Sequence, residues 1–145
     1  MNAITSPRFL LIAFAISMII FILDILFHGQ VVPDMYVGYP QRPMDQMTAL
    51  FPFLFLTYVV QLTMYLLMFL GLYPQRGVRN AVIWGLWGGL FVVIPNMQFF
   101  VAVKDTSWAV LGMQVVEGVS LLIIAGLLFE LMYRPKNAAG ASENA

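Results

Sequence analysis

An all-α bundle of four membrane-crossing helices is the fold this sequence predicts, and three observations predict it. Of its 145 residues 61% are hydrophobic and 10% charged, whereas soluble domains are about a quarter charged. Mean hydropathy is +0.88, more apolar side chain than a small soluble domain can keep from water. The apolar residues also fall into four runs, each close to the roughly 20 residues that a helix needs to cross a hydrocarbon core. The expected organisation is a single membrane domain over 1–134, followed by a small, polar and disordered tail over 135–145.

The first span is expected from Arg8 to His28, with Gly29 stopping it. Its apolar core, Phe9 to Phe27, is too long for the hydrophobic region of a signal peptide, and no small-x-small cleavage site follows it. It is therefore read as a retained helix. Residues Gln30 to Gln46 contain Pro33, Gly38, Pro40 and Pro43, which rule out a long helix. Tyr36 and Tyr39 suit the headgroup layer, where one end of the ring is wet. Long ordered connections carry function more often than short ones, which makes Tyr36 and Arg42 the loop's candidate residues. The plainer reading is an interfacial cap over the helix ends.

The second span is expected from Met47 to Tyr73, with Pro52 in its first turn, where a missing N–H costs little, and with Gly71 and Pro74 ending it. The third is expected from Ala81 to Val103. Gly85 and Gly89 form a small-xxx-small pair there, a spacing that lets helix backbones approach closely in lipid. Pro95 deprives the Phe91 carbonyl of its usual partner and should kink this span. The fourth is expected from Trp108 to Tyr133, capped by Thr106 or Ser107 and ended by Pro135. Glu130 and Arg134, at i and i+4, should form a surface pair at its end.

Orientation follows from the Lys and Arg of the short connections. Arg8, Arg76, Arg79, Arg134 and Lys136 lie on one side, and Arg42 and Lys104 on the other. This bias puts both termini in the cytoplasm. The 30–46 loop and the Lys104-Asp105 turn then face outward.

Chemistry is confined to a few side chains, because each spanning helix satisfies its own backbone. Ionisable groups at depth cost free energy and turn toward the bundle interior. Asp24 and His28, at i and i+4, share one face of the first span. Asn96 and Gln98 follow Pro95 at a similar depth, and Gln114 and Glu117 stand at i and i+3 on the fourth span. At about 1.5 Å per residue, Glu117 lies roughly 13 Å below Trp108. Gln61, on the second span, is deeper still. Together these residues are candidates for a proton-, cation- or ligand-binding site in the outer half of the bundle. The structural alternative is that the same groups pair with one another as packing glue, a common role for polar residues in lipid. Asp24, His28 and Glu117 are also a ligand set for iron, zinc or manganese. No second histidine supports that reading, and no metal or cofactor is expected. The ten methionines are read as packing rather than a copper path.

Other classes are excluded or unsupported. The formal net charge is zero, so no basic field for nucleic acid exists. There is no cysteine for disulfides, thiolate metal sites or nucleophilic catalysis. With one histidine, bis-histidine haem within a chain is excluded. No nucleotide-binding loop, nucleophile elbow or zinc-protease motif appears.

The run Asp24-Ile-Leu-Phe-His28-Gly29, then Tyr36, Arg42-Pro43 and Met47, resembles the first-loop pattern of uncharacterised small bacterial four-helix integral membrane proteins. Gly85-Leu-Trp-Gly88, Asn96 to Phe100, Trp108 and Glu117-Gly118 are similar to their third and fourth helices. The resemblance implies a bacterial inner-membrane location and the four-helix fold, and no activity. The function expected is non-catalytic: an accessory or interaction subunit with a polar pocket in the outer leaflet, in contact with lipid and with another membrane protein or a second copy of itself. The rivals are a proton- or ion-coupled carrier or channel acting as an oligomer, and a membrane metal protein or enzyme using Asp24, His28 and Glu117.

Overall fold

A computed structural model describes residues 6–32, 42–73, 76–102 and 107–133, the side chains of 95–102 excepted. Within them the chain is all-helical, with four helices and no strand: α1 (Pro7–Leu26), α2 (Met44–Leu72), α3 (Val78–Ala102) and α4 (Trp108–Met132). α1 runs on without a break into a π-helical turn, Phe27–Val31. α1 with that turn, α2 and α4 are each long and apolar enough to cross a membrane.

Each helix buries one narrow stripe. Phe9, Ala13, Ile16 and Ile20 of α1 recur every three or four residues and meet Leu62, Leu66 and Phe69 of α2 and Leu122, Ala125 and Phe129 of α4. That period keeps the stripe on one side of a helix. The opposite faces are just as apolar and lie open: Leu11, Phe53, Met64, Trp87 and Phe91 are all exposed. No more than 28% of any of the three spanning windows is buried, and exposed apolar surface on this scale marks contact with a membrane or with protein.

The helices run alternately up and down, so sequence neighbours are antiparallel. α3 and α4 pack most closely, and the reason is Gly85 and Gly89. A Cβ on either would collide with the α4 backbone, at Ile123 and Val119 respectively. α1 lies between α2 and α4, while α2 and α3 barely touch. Besides its apolar contacts, α2 is tied across by hydrogen bonds: the Tyr65 hydroxyl donates to Leu122 O of α4 (2.9 Å), and the Trp84 indole of α3 donates to Tyr65 O (3.2 Å). Tyr65 and Trp84 also stack, with centroids 5.5 Å apart. Buried Ser17 answers its own hydroxyl by donating to Ala13 O at 2.8 Å.

Several expected boundaries shift. Gly29 does not stop the first helix; the backbone widens there into the π turn, closed by Val32 N donating to Phe27 O at 3.1 Å. α2 starts at Met44, three residues early, which places Pro52 in its interior rather than its first turn. α3 starts at Val78, directly after Gly77, whose φ of 146° is a conformation that glycine adopts without strain. Ser107, not Thr106, caps α4, its hydroxyl accepting from Val110 N at 3.2 Å. The Pro95 kink, most of the 30–46 loop, residues 103–106 and the tail lie outside the described residues or side chains.

The end where α4 finishes is closed by Arg76. Its guanidinium donates to Glu130 Oε1 (2.7 Å), Tyr133 O (2.9 Å) and Phe129 O (3.4 Å) and lies over the Phe129 ring. A cation here answers both the last carbonyls and the negative end of the helix dipole. Glu130 is therefore paired across the bundle. Its expected partner, Arg134, lies outside the described residues.

Candidate functional site

At the other end of the bundle the polar residues converge. Asp24 and His28 sit one turn apart at the end of α1, and Glu117 reaches them from α4. The His28 Nε2 atom stands 3.6 Å from Asp24 Oδ1 and 3.2 Å from Glu117 Oε1. One nitrogen thus faces both carboxylates. The ligand-type atoms of all three side chains lie within 4.8 Å of one another. Side-chain exposure is 9% for Glu117, 13% for Asp24 and 38% for His28. The cluster is therefore shielded on the carboxylate side and more open on the imidazole side.

The three groups border a cavity of about 340 Å³ with walls from all four helices. Gln61, Thr57 and Tyr58 of α2 and Gln114 of α4 supply its other polar walls; Ile20, Leu62, Val92, Val93 and Leu122 supply the apolar ones. Tyr58 interacts through its hydroxyl with the Asp24 carboxyl. Thr57 turns its hydroxyl back to Leu54 O at 2.6 Å.

Glu117 Oε1 is the outlying atom. It is buried and outside full hydrogen-bond geometry, with the His28 Nε2 ion-pair contact beside it at 3.2 Å. Buried polar atoms are almost always bonded, and an unsatisfied one costs about 1–3 kcal/mol, more when charged.

Of the residues singled out in the sequence, Asp24, His28, Glu117, Gln61 and Gln114 line this one cavity. Arg42 is exposed just ahead of α2 and does not line it. The side chains of Asn96 and Gln98, and Tyr36, lie outside the described residues. Tyr58 is the residue that sequence reasoning missed. Its signal was present: Thr57, Tyr58 and Gln61 place polar atoms at i, i+1 and i+4 in the middle of a mostly apolar helix.

The cluster also sits where α1 changes its winding. The π turn begins at Phe27, one residue before His28, and such turns mark functional sites more often than chance allows. Comparison with family models, curated proteins and solved structures finds no match, so the reading of the site rests on its own residues.

Proposed function

We propose that the chain is a four-span integral membrane protein that holds a small cationic or polar ligand in an intramembrane pocket, without covalent chemistry. The observation that carries this is the convergence of Asp24, His28 and Glu117 from two helices on one cavity, with a buried carboxylate oxygen left unbonded.

The fourth span is α3. It has the same 25-residue length as α4 and no charged residue after Arg79. At about 1.5 Å per residue it reaches about 37 Å, enough to cross. The Lys and Arg bias supports both ends inside, and the resemblance to small bacterial four-helix membrane proteins supports the inner membrane. The pocket then opens in the outer half.

The test is a thermal-shift panel on purified protein in mild detergent, covering protons, monovalent and divalent cations and small uncharged polar solutes. A ligand at a hundred times its Kd stabilises by about 2.7 kcal/mol, which is about 5 °C or more for a chain of this size. We expect at least one such shift in the wild type and its loss in Glu117→Gln. No shift across the panel overturns the pocket.

A second reading has its own observation. Between α2 and α3 an apolar groove of about 510 Å³ lies open, lined by Met64, Met68, Trp84, Trp87 and Phe91. A partner's helix seated there would make the chain an accessory subunit. A stable complex after gentle detergent extraction supports that reading, and a lone monomer in native mass spectrometry counts against it.

A further inference from the structure

We propose that Asp24, His28 and Glu117 form a binding site for a divalent first-row transition-metal ion of the manganese, iron and zinc class. This rests on the pocket reading above and names its ligand.

Spacing is the first argument. Two donors on one ion, each about 2.1 Å from it, stand about 3.0–3.5 Å apart, depending on whether they subtend an octahedral or a tetrahedral angle. His28 Nε2 stands 3.2 Å from Glu117 Oε1 and 3.6 Å from Asp24 Oδ1. Both separations involve the same nitrogen, so both carboxylates crowd the one lone-pair position that a metal-bound imidazole uses. The three donor atoms fit inside 4.8 Å without an ion; closing on one takes rotamer adjustments of about an ångström.

The second argument is the unbonded atom. Glu117 Oε1 is buried, on a side chain only 9% exposed, and lacks full hydrogen-bond geometry to any described donor, its near neighbour being the His28 nitrogen that would share the ion. Charge gives the third. A divalent ion with a neutral imidazole balances the charge of two carboxylates in an apolar bundle. The titratable groups facing the ion are Asp24 and His28 from the first helix, Tyr58 from α2 and Glu117 from α4. The described α3 residues of the cavity wall, Val92 and Val93, carry none.

Donor chemistry selects the ion. One imidazole with two carboxylates suits manganese, iron or zinc. The absence of thiolates disfavours soft ions, and the imidazole disfavours calcium and magnesium, which favour all-oxygen sets. Three protein ligands leave coordination positions for water from the cavity, the arrangement of an open rather than a purely structural site.

The experiment uses the full chain, purified without a histidine tag, chelator-treated and titrated with Mn²⁺ by electron paramagnetic resonance and with Zn²⁺ by calorimetry. We expect one ion per chain, affinity lowered roughly tenfold or more in Asp24→Asn, His28→Gln and Glu117→Gln, and no displacement by millimolar Mg²⁺. Because His28 is the chain's one histidine, its carbethoxylation provides a second readout. Bound Zn²⁺ should block the reaction in the wild type and fail to do so in Glu117→Gln. Wild-type protein that takes up neither ion overturns the proposal whatever the variants do, and so does uptake that none of the three substitutions weakens. If a monovalent or uncharged ligand stabilises the protein through Glu117 while no metal binds, the metal falls and the pocket stands. If nothing on the panel binds, both fall.

Discussion

Arg76 shows what a single side chain holds in place. It joins Glu130, the last carbonyls of α4 and the Phe129 ring, and both charged partners are mostly buried, at 15% and 13% exposure. Exposed ion pairs contribute about 0–1 kcal/mol, and breaking a fully buried one costs about 3–5 kcal/mol. Arg76→Ala should fall between, at about 2 kcal/mol, read as a lowered unfolding temperature in detergent. Arg76→Lys should recover only part of it, since a single ammonium cannot serve Glu130 and two carbonyls in one plane. Equal stability of Arg76→Lys and the wild type would show that the fork is idle. This pairing was not legible in the chain, because Arg76 and Glu130 are far apart in sequence and the neighbouring Arg134 offered an obvious local partner. The opposite end was legible. An acid, a histidine and a second acid stand out in apolar runs because their burial is costly, and the one-turn spacing of Asp24 and His28 fixes their shared face. Tyr58 was legible only in part: its polar neighbours Thr57 and Gln61 marked the stretch, but a tyrosine in an apolar helix serves equally as an interfacial anchor or a core ring.

Among the elements, α3 and α4 give the sharpest prediction. Gly85 meets the Ile123 backbone and Gly89 the Val119 backbone, while Gly112, on α4, has nothing within 4 Å of its Cβ position. Gly85→Ala and Gly89→Ala should each destabilise, by about 1–3 kcal/mol as overpacking does, and Gly112→Ala should be neutral or stabilising. Denaturation of the three variants side by side measures this. If all three behave alike, close approach of these two helices is not what holds the bundle. The small-xxx-small spacing announced this contact, because backbone proximity depends on a local pattern. The ends of α1 and α2 were less legible. In an apolar helix a glycine breaks the pattern of sequence without having to break the helix, so the π turn passes Gly29, while α2 only begins earlier ahead of Pro52, at Met44. The π turn itself has no local sequence mark.

For the whole molecule, three helices are long and apolar enough to cross a membrane, and the proposed orientation rests on the small Lys and Arg bias. A chain without cysteine allows single cysteines to be placed freely. In the four-span arrangement Ser6→Cys and Ser142→Cys label from the cytoplasmic side with a membrane-impermeant maleimide, and Gln46→Cys labels from the other. Labelling of Ser6→Cys and Ser142→Cys from opposite faces would mean an odd number of spans and would remove α3 from the membrane. Inside that envelope the claim on which the rest depends is that the Asp24–His28–Glu117 cluster is there to receive a ligand and is not the glue of the bundle. The most direct measurement is the unfolding temperature of ligand-free Glu117→Gln beside ligand-free wild type in lipid nanodiscs. We expect the variant to stay within about 1 kcal/mol of the wild type, because it relieves the repulsion of two adjacent carboxylates and gives up a His28 contact that lacks full hydrogen-bond geometry. A loss on the scale of a broken buried ion pair, about 3–5 kcal/mol, would contradict this and make the cluster a structural tie.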